Sequence, residues 1–117
     1  MAIILGLNTA FLAVVGAVML AAPKKLFPTG DELTLAVTQA LGAGDLAMAS
    51  LTGVLLATRA GSSPAALAAL SVFHLVLTAL QVINRRTAFH KLPVLLTHGA
   101  FGAAFAAVLV TGLASAV

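Results

Sequence analysis

One carboxylate stands alone in a long apolar stretch of the sequence. Asp45 is the only charged residue between Glu32 and Arg59, and most of the residues around it are small or apolar. An ionisable side chain at the depth of a bilayer is costly, so it usually faces the interior of a helix bundle and has a function or a polar partner there. Asp45 is therefore the first candidate for a group that does acid-base chemistry.

Two histidines stand in later apolar stretches of the chain, at His74 and His98. Histidine titrates near neutral pH, and a carboxylate that faces an imidazole can exchange a proton with it. Counted from the charged ends of their segments, Asp45 and His74 both lie near the middle of the membrane, whereas His98 lies roughly 10 Å from its edge. We predict that Asp45 and His74 are a catalytic acid-base pair and that His98 lies further along a polar path.

Helical periodicity places polar residues on one face of two of these stretches. At 100° per residue, Thr34, Thr38 and Thr52 fall within about 20° of Asp45. Ser71, Thr78, Gln81 and Arg85 share with His74 an arc of about 80°. Polar stripes on apolar helices face a bundle interior or a wet cavity, so we predict that the two stripes face each other. The predicted ligand-binding residues come from these stripes and from the apolar stretch that contains His98. They are His98, Thr38, Thr78, Gln81, Phe101 and Phe105.

Composition assigns these stretches to a membrane protein. Of 117 residues, 62% are hydrophobic and 8% are charged, against roughly 45–50% and 25% in soluble domains. The apolar residues form four runs, long enough for spanning helices and without the alternation of barrel strands. The sequence predicts an all-α, polytopic membrane four-helix bundle, one domain over residues 1–117 with spans at about 2–22, 32–58, 64–84 and 93–114.

Local signals mark where the helices begin. Asp31 and Glu32 suit the N-terminus of the second span, and Ser63 followed by Pro64 is typical of an N-cap and first helical position. Pro93 is predicted to lie in the first turn of the fourth span, where its missing N–H costs nothing.

The basic residues predict the orientation. Lys24, Lys25, Arg85, Arg86 and Lys91 fall in the first and third loops, whereas the second loop contains Arg59 alone. The positive-inside rule then places both termini outside, in a multi-pass protein of the cell membrane. This distribution also accounts for the net charge of +3 and the pI near 10.3, so no nucleic-acid partner is predicted.

Several kinds of chemistry find no support in the sequence. The chain has no Cys, which excludes disulfides, thiol catalysis and Cys-metal sites. Two histidines and Asp45 could in principle bind Zn²⁺, but they lack the short ligand spacings of zinc motifs. No metal and no cofactor is predicted.

The segment Leu-Gly-Ala-Gly-Asp-Leu-Ala at 41–47, followed by His74 and the Arg85-Arg86 pair, resembles small four-helix bacterial membrane proteins of the DoxX-like kind. That family commonly shows a Gly-x-Arg-Asp-Leu pattern entering its second span. The resemblance covers roughly residues 40 to 100 and implies the same fold. Gly44 stands where the family has Arg, which leaves His74 rather than an arginine as the expected partner of Asp45.

Three functions remain open at this point. The first is a membrane protein that binds or transforms a lipophilic small molecule, such as an isoprenoid, quinone or sterol-like compound, with Phe101 and Phe105 as the apolar wall. The second is an oligomeric proton-coupled transporter or channel. The third is a structural or accessory subunit, in which polar bonds of only about 0.6 kcal/mol fix helix register. The expected partners are membrane lipid, a lipophilic ligand and further copies of the chain.

Overall fold

The structure, a computed structural model, describes residues 1–87 and 91–114. This part of the chain consists of helices and short connections and contains no strand, which confirms the predicted all-helical class. Four long helices occupy the four apolar runs, and one short helix follows the first of them. The helices are α1 (Ala2–Ala21), α2 (Pro23–Leu26), α3 (Glu32–Ala57), α4 (Pro64–Ile83) and α5 (Leu92–Ala114), with a 3₁₀ turn at Ala60–Ser62 before α4.

The predicted start signals occupy the positions expected of them. A carboxylate oxygen of Asp31 accepts a hydrogen bond of 2.8 Å from the Thr34 N–H, and the side-chain and backbone hydrogen bonds of Thr34 lower the pKa of Asp31. Ser63 Oγ accepts from the Ala66 N–H at 3.2 Å, with Pro64 as the first residue of α4. Pro93 is the second residue of α5, which confirms its place in the first turn.

All four long helices are long and apolar enough to cross a membrane. Each one also exposes large aliphatic side chains. Ile3 on α1, Leu33 on α3 and Ile83 on α4 are 79%, 72% and 76% exposed, and Leu96 on α5 is 62% exposed. The buried positions, in contrast, include Asn, Thr, Asp and His. Large apolar side chains exposed on all four long helices are compatible with membrane-spanning helices.

The chain divides into two compact units, and the first is Met1–Arg59. This unit is a hairpin of the two long helices α1 and α3. Among the residues that contact each other across it, the numbers rise along α1 as they fall along α3. Thr9 bonds to Thr52, Gly16 meets Gly42, and the side-chain amide Nε2 of Gln39 donates to the Leu20 carbonyl oxygen at 3.1 Å. The two helices are therefore antiparallel. The hairpin ends at Arg59, whose φ of 58° is in the left-handed region that favours glycine.

The closest approach in the first hairpin is between two backbones. A Cβ added to Gly16 would lie 2.8 Å from the Gly42 carbonyl oxygen, and one added to Gly42 would lie 2.8 Å from the Gly16 carbonyl oxygen. Small residues permit such contact between spanning helices, which gain stability from van der Waals packing. Only glycine fits at either position.

The second unit comprises Ala60–Val117, and in its described part α4 packs on α5. Gly99 faces Thr78, and Gly102 faces Leu75 and His74, so this hairpin is also antiparallel. Near the end of α4, Gln81 Oε1 accepts a 2.8 Å hydrogen bond from the N–H of Lys91, the residue before α5. The predicted union of both hairpins in one bundle stays a prediction.

Candidate functional site

Spacing along α4 and α5 brings two histidines to the buried faces of the second hairpin. On α4 the buried residues Leu67, Leu70, Ser71 and His74 recur at helical intervals. On α5, His98 precedes Gly102 and Phe105 by four and seven residues, and all three are buried. His74 is 0% and His98 is 2% exposed. Such intervals place residues on one side of a helix, so each imidazole points to the opposite helix.

The two imidazoles bond directly to each other. Nδ1 of His74 lies 2.8 Å from Nδ1 of His98, and the ring centroids are 5.0 Å apart with an interplanar angle of 38°. In a neutral imidazole one nitrogen has a proton and the other is bare. This contact therefore requires one ring with Nδ1–H as donor and the other with a bare Nδ1 as acceptor. The two rings must adopt opposite tautomers, or share a proton as a cation.

Phenylalanine rings surround the His74 ring. Phe101 lies 5.3 Å from it, tilted by 34°, and Phe105 lies 5.9 Å from it in a stacked arrangement with an angle of 24°. Phe73 meets it edge-on at 5.1 Å. Phe105 is fully buried. The sequence prediction included Phe101 and Phe105 but missed Phe73, which could have been found as the bulky neighbour of His74 on the same helix.

The second nitrogen of His74 is the exceptional atom of this cluster. Nε2 is buried and has no hydrogen-bond partner within residues 1–87 and 91–114. An unsatisfied buried donor or acceptor costs on the order of 1–3 kcal/mol. Buried polar groups in native proteins nearly always have a partner, so an exception calls for an explanation such as a ligand, a water or a catalytic role.

Thr78 and Gln81 continue from His74 toward the α4–α5 connection. Thr78 Oγ1 donates to the His74 carbonyl oxygen at 2.8 Å, so its hydroxyl proton is used within the helix. Gln81 Oε1 accepts a hydrogen bond from the Lys91 N–H. This side chain therefore links the end of α4 to the residue before α5. Both residues are half-buried.

The first hairpin holds the other two predicted site residues, Asp45 and Thr38. They lie on the buried face of α3, 7% and 0% exposed. Gly16 of α1 faces this carboxylate residue, and a Cβ there would lie 3.0 Å from the Asp45 Cβ. Within Met1–Arg59 nothing bonds to the Asp45 carboxylate. Thr38 Oγ1 donates to the Thr34 carbonyl oxygen at 2.8 Å.

Two polar residues of α1 were not predicted as site residues. The amide of Asn8 is fully buried, and neither its nitrogen nor its oxygen has a partner among the described residues. Next to it, Thr9 Oγ1 bonds at 2.8 Å to Thr52 Oγ1 on α3. The sequence offered one signal for both, because they are adjacent polar residues in an otherwise apolar span.

The structure thus brings together His74, His98, Phe101 and Phe105, half of the predicted site residues, within the second hairpin. The two imidazole rings are in contact although the sequence places the two residues at different depths. A difference of a few residues in depth is only about 1.5 Å per residue, which two side chains can span, so the predicted depths of His74 and His98 stay a prediction. Asp45 and Thr38 lie in the other unit, and the predicted Asp45–His74 pair stays a prediction.

No group of three or more His, Asp or Glu residues in the described part of the chain is placed to hold a metal ion. Comparison with family models, with curated proteins and with solved structures gave no match.

Proposed function

We propose that this protein is a multi-pass membrane protein that binds a lipophilic small molecule through His74. The observation that supports the proposal is the buried Nε2 of His74, which has no partner among the described residues, whereas Nδ1 of the same ring bonds to His98. A hydrogen bond to a ligand would satisfy this atom. Ligand sites are mostly apolar with a few well-placed polar groups, and the Phe101 and Phe105 rings beside His74 fit that description.

The same pair suits acid-base chemistry on a bound molecule. If His74 Nε2 takes a proton from the ligand, the Nδ1 proton of His74 can pass along the 2.8 Å contact to His98, so that the positive charge spreads over two rings. Histidine is the side chain that most often transfers protons in this way. Asp45 remains our proposed second catalytic group, and Asp45→Asn should then abolish turnover while the protein still folds.

Native mass spectrometry of the purified protein tests the binding proposal. We expect wild-type protein to retain a lipophilic adduct and His74→Phe, which keeps a planar ring but has no nitrogen, to lose it. Val76→Phe is the matched control, because it adds a phenylalanine to the same helix at a position that is 52% exposed. An adduct that persists in His74→Phe, or that is lost equally in both variants, contradicts the proposal.

A second candidate function is proton transport, and the His74–His98 hydrogen bond favours it. Chains of hydrogen-bonded ionisable groups within spanning segments are typical of proton pathways. Protein in liposomes with a pH-sensitive dye inside separates the two functions. Proton flux that is lost in His98→Phe supports transport, whereas an inert liposome together with a retained adduct supports ligand binding. Wild-type protein that shows neither an adduct nor proton flux would favour a structural or accessory subunit.

The proposed membrane arrangement has four crossings with both termini outside. Four sufficiently long apolar helices and five basic residues on one set of loops against Arg59 on the other support it. Alkaline phosphatase fused after Val117 should be active outside the cytoplasm. A fusion active only inside would overturn the orientation.

A further inference from the structure

We infer that the ligand of this site presents an oxygen to His74 Nε2, and that the site accepts either a carbonyl or a hydroxyl because the His74–His98 pair can change tautomer. This inference rests on the proposed function and names the chemical class of the ligand. It follows from two facts about one ring: Nδ1 of His74 is bonded to Nδ1 of His98, and Nε2 of His74 has no partner in the part of the chain that the structure describes.

The first tautomeric state offers a hydrogen-bond acceptor. When His74 Nδ1 has the proton and donates it to His98, His74 Nε2 is a bare lone pair. A ligand hydroxyl can then donate to Nε2. In this state His98 has its own proton on Nε2, so the two neutral rings hold two protons in total.

The second state offers a donor. When His98 Nδ1 has the proton and donates it to His74, the proton of His74 is on Nε2, where a ligand carbonyl can accept it. The His98 Nε2 is then bare. The two rings again hold two protons in total. Between the two states, one proton crosses from His74 Nδ1 to His98 Nδ1, and the loss of the proton from His98 Nε2 is balanced by the gain of a proton at His74 Nε2. The change is an isomerisation without net gain or loss of protons.

The surroundings of the ring restrict what else the ligand can be. Phe73, Phe101 and Phe105 stand around His74 at centroid distances of 5.1, 5.3 and 5.9 Å, and the ring itself is fully buried. A charged group next to Nε2 would lose its hydration without an ionic partner among these apolar neighbours, at a large cost. A neutral oxygen on an apolar skeleton is the chemical class that this cluster fits.

The test uses two probes of similar length: 4-heptylphenol, whose hydroxyl is a strong donor and a weak acceptor, and 4-heptylcyclohexanone, whose carbonyl only accepts, with heptylbenzene as the oxygen-free control. Histidine labelled with ¹⁵N reports the tautomer, because protonated and bare ring nitrogens have well-separated chemical shifts. The variant His90→Gln removes the third histidine signal, and His98→Phe assigns the remaining two.

We expect 4-heptylphenol to move His74 toward the form with bare Nε2, and 4-heptylcyclohexanone to move it toward the form with Nε2–H. His98 should shift in the opposite sense in each case, and heptylbenzene should shift neither ring. In His98→Phe the reciprocal response must vanish.

Three negative outcomes have different meanings. If all three probes bind equally well, displace the native adduct and leave the tautomers unchanged, the inference about oxygen fails while the binding proposal stands. If no probe binds to wild-type protein and native mass spectrometry also finds no adduct, both fail. A tautomer change in His74 without a reciprocal change in His98 overturns the coupling between the rings.

Discussion

The two hairpins differ in how their helices pack against each other. In the first hairpin, α1 and α3 meet backbone to backbone at Gly16 and Gly42, where an added Cβ would lie 2.8 Å from a carbonyl oxygen. In the second, side chains fill the interface, and His74 and His98 bond across it amid phenylalanine rings. Backbone contact leaves no room for a ligand, whereas an interface of side chains can rearrange around one. We therefore expect a ligand to bind in the second hairpin rather than in the first.

The largest effect is expected where the backbones touch. Gly42→Ala should destabilise the protein by about 3 kcal/mol, because neither the Gly16 carbonyl nor the Leu20 nitrogen, both 2.8 Å from the new Cβ, can move without displacing a helix. Unfolding in mixed micelles measures the change. The control is Gly44→Ala, which meets nothing within 4 Å and should be neutral or stabilising by up to about 1 kcal/mol. Equal effects of the two substitutions would refute the backbone contact.

The next effect concerns the histidine pair. His98→Phe should cost about 2 kcal/mol, because both nitrogens of buried His74 then lack partners. Adding His74→Phe should recover much of this loss, since the orphaned polar atoms disappear and only rings remain. A double-mutant cycle on unfolding free energies measures the coupling. Additive effects of the two substitutions would mean that the rings do not interact.

A smaller effect sharpens the contrast between the hairpins. In the second hairpin a Cβ at Gly102 would meet the Leu75 side chain at 3.0 Å, and Leu75 is 46% exposed and free to turn aside. Gly102→Ala should therefore cost about 1 kcal/mol, less than Gly42→Ala. Gly99→Ala serves as its control, because the nearest atom there is 3.8 Å away. If Gly102→Ala proved as damaging as Gly42→Ala, the second interface would be as rigid as the first.

The smallest effect is a pH dependence at the start of α3. Because hydrogen bonds from Thr34 lower the pKa of folded Asp31, its contribution to stability is present above the unfolded pKa and is lost as the pH falls through the folded one. Asp31→Ala should be less stable than wild type near neutral pH, and the gap should close in acid. Asp31→Asn, which caps a helix without titrating, should show no such dependence. A gap that widens in acid would contradict the sign.

Local features of the fold could be predicted from the sequence. The apolar runs, the Ser63-Pro64 start and the place of Pro93 each depend on a few consecutive residues, and the structure has all of them. Helix register is a different matter. The periodicity of a single helix does not predict which of the ten glycines contact each other across two helices. The contact between Gly16 and Gly42 could therefore be seen only in the structure.

The histidine pair lies between these cases. His74 is nine residues before the end of α4 and His98 is six residues after the start of α5. In an antiparallel hairpin this difference of three residues is about 4.5 Å, which the two rings can bridge. Counting from the hairpin ends would have predicted the contact. Asp45, as the single charge in its apolar stretch, is the stronger sequence signal for a partner of His74, and it conceals the nearer histidine.

His74 and His98 are joined through their Nδ1 atoms, and we propose that Nε2 of His74 binds a ligand. The most direct measurement is ¹⁵N–¹⁵N correlation between the imidazole rings of the protein in lipid bilayers. We predict a coupling that connects the Nδ1 atoms of His74 and His98 and that disappears in His98→Phe. Rings with the same tautomer and no coupling, or a coupling that involves Nε2 of His74, would contradict the account.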